Sequence, residues 1–140
     1  MSARVLRIGV PKGSLEEPTL SLFRRAGYTL RLDGRSYFAQ VDDPELEATL
    51  IRAQEIPRYV AEEILDGGLT GYDNVVESGV DVIEVAELTY SRASSRPYRW
   101  VLAVPEDSPI RSVHDLQGKR IATELVNVTR RYLERHGVQA

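Results

Sequence analysis

Apolar residues in this chain change their spacing again and again, and that constrains the fold more than any other feature. Val5 to Val10 is a short apolar run of strand length, closed by Pro11-Lys12-Gly13-Ser14. Directly after it, Leu15, Thr19, Leu22, Phe23 and Ala26 recur at intervals of three and four, the period of one helix face. Ser14 or Glu16 serves the helix start, Pro18 is tolerated in the first turn, and Gly27 stops the helix. The same switch recurs downstream. Strands are expected at Tyr28–Leu32, Tyr37–Val41 and around Thr49–Ile51, ending at Arg52-Ala53-Gln54, with a turn at Asp42-Asp43-Pro44. A helix opens at Ile56-Pro57, with Val60, Ile64 and Leu65 on its inner face. A very short strand and glycine elbow lie in Gly67-Gly68-Leu69-Thr70-Gly71-Tyr72-Asp73, and Asn74–Ser78 is a short helix. Further strands are expected within Val80–Leu88, at Trp100–Val104 and at Ile121–Thr123. A helical turn is expected at Val113–Leu116 and a last helix at Asn127–His136. Strand alternating with helix argues for an α/β fold with a mainly parallel sheet. The polar stretch Ser91–Pro97 reads as a boundary between lobes.

Composition narrows the function classes. Of 140 residues 42% are apolar and 28% charged, which is globular rather than disordered or fibrous. The net charge of −3 argues against a nucleic-acid binder. No apolar run approaches the length that spans a bilayer, and the first residues lack the apolar core of a signal peptide, so a cytoplasmic protein is expected. With no cysteine there is no disulfide and no thiol chemistry. Only Lys12 and Lys119 among the 18 basic residues are lysines; the rest are arginines. That bias has two readings: base composition of the genome, or guanidinium forks that bind phosphate and carboxylate.

Position along the chain selects candidates. Lys12 and Gly13 sit between a strand and a helix, where backbone N–H groups and the helix dipole favour an anion and glycine permits close approach. The spacing fits neither a Walker A loop nor a dinucleotide fingerprint. Asp73 follows the glycine elbow at a strand end, a position where open sheets gather ligands, and it equally suits the N-cap of the next helix. Arg35 and Arg52 follow or end strands; they are either solvated surface groups or a pair that neutralises phosphate. His114 and His136 read as surface residues, and the acidic residues Asp42, Asp43, Glu45 and Glu47 as a solvated turn rather than a cation site.

Five ordered segments carry a resemblance. They are Gly9-Val10-Pro11-Lys12-Gly13-Ser14-Leu15 with Glu17–Leu20, Gly34-Arg35-Ser36-Tyr37-Phe38, Ile51-Arg52-Ala53-Gln54 through Val60, Leu69-Thr70-Gly71-Tyr72-Asp73 through Gly79, and Asp115–Glu124 with Asn127–Tyr132. Together they resemble the ATP phosphoribosyltransferase family, closer to its long form, and they cover nearly the whole chain. The resemblance implies a two-lobe fold like the type II periplasmic binding proteins. A first lobe would span 1–95, on the nucleotide side, and 96–140 would begin a second lobe, incomplete before the loop that cradles the ribose 5-phosphate. It implies transfer of the phosphoribosyl group of phosphoribosyl pyrophosphate to N1 of ATP, the first step of histidine biosynthesis. Arg35 and Arg52 would act on the developing pyrophosphate charge, Lys12, Gly13, Asp73 and Glu124 would contact substrate, and Mg²⁺ would travel on substrate phosphates. The intact protein would be a homo-oligomer, without nucleic acid or membrane as a partner. The family often has an aromatic residue and a proline where Leu125 and Val126 stand here. The chain alone is expected to be inactive or nearly so. The alternative is a non-enzymatic small-ligand-binding module of the same superfamily, to which Asp115–Arg120 is also similar.

Overall fold

The computed structural model describes residues 4–90 and 99–140. Its contacts divide the chain into two compact units, Met1–Ser94 and Ser95–Ala140. The expected lobe boundary at Ser91–Pro97 lies outside the described residues.

The first unit is a mixed α/β layer structure built on five strands in the order β2-β3-β4-β1-β5. β1 is Leu6–Lys12, followed by a 3₁₀ turn at Gly13–Leu15 and α1, Glu16–Arg25. Then come β2 (Leu30–Arg31), β3 (Phe38–Val41), β4 (Leu46–Arg52), α2 (Ile56–Ala61), β5 (Gly67–Gly68) and α3 (Tyr72–Ser78). β1 runs parallel to β4, in register from Leu6↔Leu46 to Lys12↔Arg52, and parallel to β5. β3 pairs antiparallel with both β4 and β2. The expected mainly parallel sheet is therefore mixed. The reason lies in the connections: the Asp42-Asp43-Pro44 turn is too short for a crossover, so β3 and β4 form a hairpin. Only the helix-bearing connections around β1 give parallel neighbours.

Each sheet face has its own core. Val10, Ala39, Ala48 and Leu50 are buried together, with Phe23 of α1 and Leu30, Leu32 and Val41 against them. Ile51, Ile56 and Leu65 form the second cluster, joined by Tyr59 and Val60 of α2. α2 ends at Ala61, earlier than its apolar spacing suggests. Leu65 still packs under Ile56, whereas Ile64 is exposed. β5 can approach β1 only because Gly68 lacks a side chain: a Cβ there would press into Ile56 and the Gly9 carbonyl oxygen. Thr19 of α1 is fully buried and its hydroxyl donates to the Leu15 carbonyl at 2.6 Å. That uses its one hydrogen, so Tyr90, 2.8 Å away, donates to Thr19 and ties the end of the described segment to α1.

Three expected strands are not formed. Among the described residues neither Val80–Leu88, Trp100–Val104 nor Ile121–Thr123 enters a ladder. Their apolar side chains are largely open, with Val85 93% and Val101 71% exposed. A strand needs a neighbour to satisfy its backbone, and these segments have no ladder partner among the described residues.

The second unit holds a 3₁₀ turn at Val113–Leu116 and α4, Val126–Arg135. Ser112 and Asp115 close a reciprocal capping box on the turn. Leu116, Leu133 and Val138 form a small core with Ile110, Val113 and Ile121 packed on it. Gly118 N–H donates to the Gln139 carbonyl at 2.7 Å, which fastens the last residues to this turn.

Candidate functional site

The carboxyl ends of three parallel strands bring most of the predicted residues of the first unit to one edge. Lys12 ends β1 and Arg52 ends β4, and the register sets them side by side. Both are exposed, and among the described residues neither is paired with a carboxylate. Gly13 follows Lys12 at φ +86°, a conformation that disfavours any side chain, and nothing lies within 4 Å of where its Cβ would be. The backbone after Lys12 is thus both shaped by glycine and open.

Arg52 begins a tight turn, closed by the Glu55 N–H on the Arg52 carbonyl at 2.9 Å. The glycine elbow after β5 is fastened to this turn. Thr70 Oγ1 donates to the Ala53 carbonyl at 2.7 Å, and Asn74 Nδ2 donates to Thr70 Oγ1 at 3.3 Å. Asp73 stands in the first turn of α3 and its Oδ1 accepts from the Asn74 N–H. It does not N-cap the helix, as one reading of the sequence had it; Gly71 holds that position. A Cβ on Gly71 would collide with the Asp73 carboxylate, so glycine there leaves room for it.

Arg35 lies in the loop between β2 and β3, and its side chain is exposed. The loop is set by Asp33, whose Oδ1 accepts from the Arg35 and Ser36 N–H groups at 2.9 and 2.7 Å. Those two donors hold the Asp33 carboxyl below its ordinary range. Two residues on, Tyr37 precedes β3 and its ring lies under Lys12 Nζ, 4.1 Å from the ring centre. A groove of about 640 Å³ follows β4 from Glu47 to Arg52, with Lys12, Tyr37 and Arg52 at one end.

At the opposite end of β1 the charges are neutralised. Arg7 Nη2 and Nε reach Asp66 at 3.0 Å, and the Arg7 N–H donates to the same carboxylate at 2.8 Å. The Arg7 guanidinium bonds hold the Asp66 carboxyl down at about 2. Glu124 belongs to the second unit, exposed in the segment ahead of α4. His114 and His136 are both exposed there, their rings 6.4 Å apart edge to face. In the acidic turn, Asp42 and Asp43 accept from the backbone N–H groups of Thr29 and Glu45. Among the described residues no cluster of histidine and carboxylate side chains is arranged to hold a metal ion.

Two contacts at the site were not anticipated from sequence. No pattern in the sequence gives Tyr37 a role, and the Thr70–Ala53 tie joins residues seventeen apart. An aromatic residue in the same loop as Arg35 was the available signal for the first; nothing local signals the second.

A family model described as ATP phosphoribosyltransferase matches residues 52–140. The chain is 60% identical over 139 residues to the ATP phosphoribosyltransferase of Chlorobaculum parvum, covering 99% of this chain and 47% of that one. It is 64% identical over 135 residues to that of Desulforudis audaxviator, covering 96% and 47%. Among solved structures it is similar to the ATP phosphoribosyl transferase (HisG:HisZ) complex from Thermotoga maritima. The TM-score is 0.75 at 26% identity, over 96% of this chain and 61% of that one. The chain spans about half the length of the curated relatives it matches.

Proposed function

Because the chain belongs to the ATP phosphoribosyltransferase family, we propose that it is the substrate-binding first portion of an enzyme that joins ATP to phosphoribosyl pyrophosphate. In that reaction the adenine N1 lone pair forms a bond to the anomeric carbon. The bond from that carbon to pyrophosphate breaks, and its electron pair leaves with pyrophosphate. Negative charge grows on the leaving group, so cations fixed in place beforehand stabilise the transition state more than the ground state. The observation that carries the reading is the in-register pair Lys12 and Arg52, exposed at the strand ends and, among the described residues, without a carboxylate partner.

In this reading Lys12, Arg35 and Arg52 face the phosphates, and the Gly13 backbone allows an oxygen to approach. Asp73, fastened through the elbow to the Arg52 turn, accepts from a ribose hydroxyl or an adenine amino group. Glu124, in the second unit, is a substrate contact on the strength of the family resemblance alone. The donor set at the strand ends is cationic, which suits a diphosphate and repels a bare metal ion. Mg²⁺ therefore enters as part of the substrate, carried by its phosphates. N1 needs no protein base, because its lone pair is already free.

The two compact units are the first lobe and the beginning of a second lobe of a fold like the type II periplasmic binding proteins. Support comes from the open apolar segments at 80–88 and 100–104 and from relatives about twice as long. The intact protein is an oligomer, as the similar Thermotoga maritima structure is described as a complex. Its setting is the cytoplasm, the usual one for a biosynthetic enzyme; no helix among the described residues is long and apolar enough to cross a membrane.

The test is calorimetry of the 140-residue chain with ATP, phosphoribosyl pyrophosphate, inorganic pyrophosphate and histidine, alongside an assay for phosphoribosyl-ATP. Weak, salt-sensitive binding of the phosphate compounds is expected, with pyrophosphate binding weakened in Arg52→Met and no product formed. Tight amino-acid binding without phosphate binding would refute the reading. Robust turnover by this chain would refute its incompleteness.

A further inference from the structure

We propose that Tyr37 is a positioning residue that holds Lys12 at the phosphate-binding edge beside Arg52; the inference rests on the reading of that edge given above. The register places Lys12 and Arg52 as direct neighbours. Like charges opposite one another on adjacent strands repel. A lysine has a long flexible stem, so with nothing to restrain it the ammonium would swing away from Arg52 into solvent. The structure supplies a restraint that is not a carboxylate. Lys12 Nζ stands 4.1 Å from the centre of the Tyr37 ring, well within cation–π range.

The ring face attracts the ammonium yet carries no net charge. It therefore does not compete with an incoming phosphate, as an aspartate or glutamate would. The backbone around Tyr37 is fixed on both sides. Leu50 N–H donates to the Tyr37 carbonyl at 2.6 Å, and Phe38 N–H donates to Ser36 Oγ at 3.0 Å. The ring itself is not part of either core: Tyr37 is 63% exposed and belongs to neither buried cluster. An exposed aromatic on a braced backbone, under a cation that has no ion-pair partner among the described residues, is suited to positioning rather than to packing.

The experiment compares the unsubstituted 140-residue chain with Tyr37→Phe, Tyr37→Leu, Lys12→Met and the Tyr37→Leu/Lys12→Met double variant. The first readout is the proton shift of the Lys12 Cε methylene by NMR, which ring current moves upfield when it lies over an aromatic face. The second is the dissociation constant for inorganic pyrophosphate at low salt. The upfield shift is expected in the unsubstituted chain and in Tyr37→Phe, and lost in Tyr37→Leu. Pyrophosphate affinity is expected to fall about two- to fivefold in Tyr37→Leu and to be retained in Tyr37→Phe. Tyr37→Leu should cause no further loss once Lys12 is methionine. An unshifted methylene in the unsubstituted chain, or unsubstituted and Tyr37→Leu chains that bind pyrophosphate equally, would overturn the role of Tyr37. Absence of pyrophosphate binding by the unsubstituted chain, with the ring-current shift present, would instead overturn the reading of the edge and the positioning role with it.

Discussion

Arg7 and Arg52 occupy opposite ends of one pair of strands and have opposite fates. Arg7 lies across from Glu47 and is gripped by Asp66; Arg52 lies across from Lys12, and no carboxylate among the described residues pairs with it. The first is a structural arginine and the second is available to a ligand. Arg52→Met should therefore weaken pyrophosphate binding and leave the melting temperature near that of the parent, while Asp66→Asn should do the reverse. The acid sensitivity follows with its sign. Asp66 has an ordinary value of 3.8, brought down to about 2 in the folded chain by Arg7. A carboxylate depressed on folding contributes stability above its unfolded value, and that contribution is lost as pH falls through the folded one. Melting temperature measured from about pH 6 down to about pH 2 should thus drop most steeply below about pH 4. Asp66→Asn should start lower at pH 6 and lose less on acidification. An identical acid limb in the two proteins would show that this carboxylate does not contribute to it.

The elements of the first unit differ in how far their sequence announced them. β1, α1 and β5 follow from neighbouring residues: an apolar run, a three-four spacing with Gly27 as its stop, and a glycine pair. The turn at Asp42–Pro44 was legible too. What it implied for the sheet was not, because strand direction depends on connection length across several elements. Val80–Leu88 and Trp100–Val104 show the opposite failure. Their composition is that of strands, but a strand is completed by a partner, which local sequence does not supply. The same limit applies at the site. Lys12, Arg52 and Asp73 stand out as candidates from their positions at strand ends, whereas the stacking of Lys12 on Tyr37 and the bond from Thr70 to Ala53 are tertiary contacts. The Thr70 tie is testable at this scale. Thr70→Val keeps the shape and removes both the donor to Ala53 and the acceptor for Asn74. It should lower stability by about 1–3 kcal/mol in urea titration, since a half-buried carbonyl loses its partner. It should also speed amide exchange in residues 70–74 relative to β1. Unchanged exchange there would mean that the elbow is held by other contacts.

Across the whole molecule, the balance of covered and uncovered apolar surface differs from one stretch of the chain to another. The first unit has a cluster on each sheet face, and the second has one small cluster around Leu116, Leu133 and Val138. Against these stand Ile83 at 89% exposure, Val85 at 93% and Val101 at 71%. Apolar side chains left open to water are costly, and covering them would gain roughly 25 cal/mol of transfer free energy per Å² buried. The relatives carry about as many further residues as this chain contains. If those residues supply the missing neighbours, amides in 80–88 and 100–104 should exchange rapidly in the 140-residue chain. They should slow by about 100-fold or more when the chain is fused to the remainder of the Chlorobaculum parvum relative. Phosphoribosyl-ATP formation should appear in the same fusion, and Arg52→Met should lower its kcat more than it raises the KM for ATP, because a cation acting on the leaving group is used mainly in the transition state. Fast exchange persisting in an active fusion would show that these segments are open by design and that their apolar residues face something other than the rest of the chain.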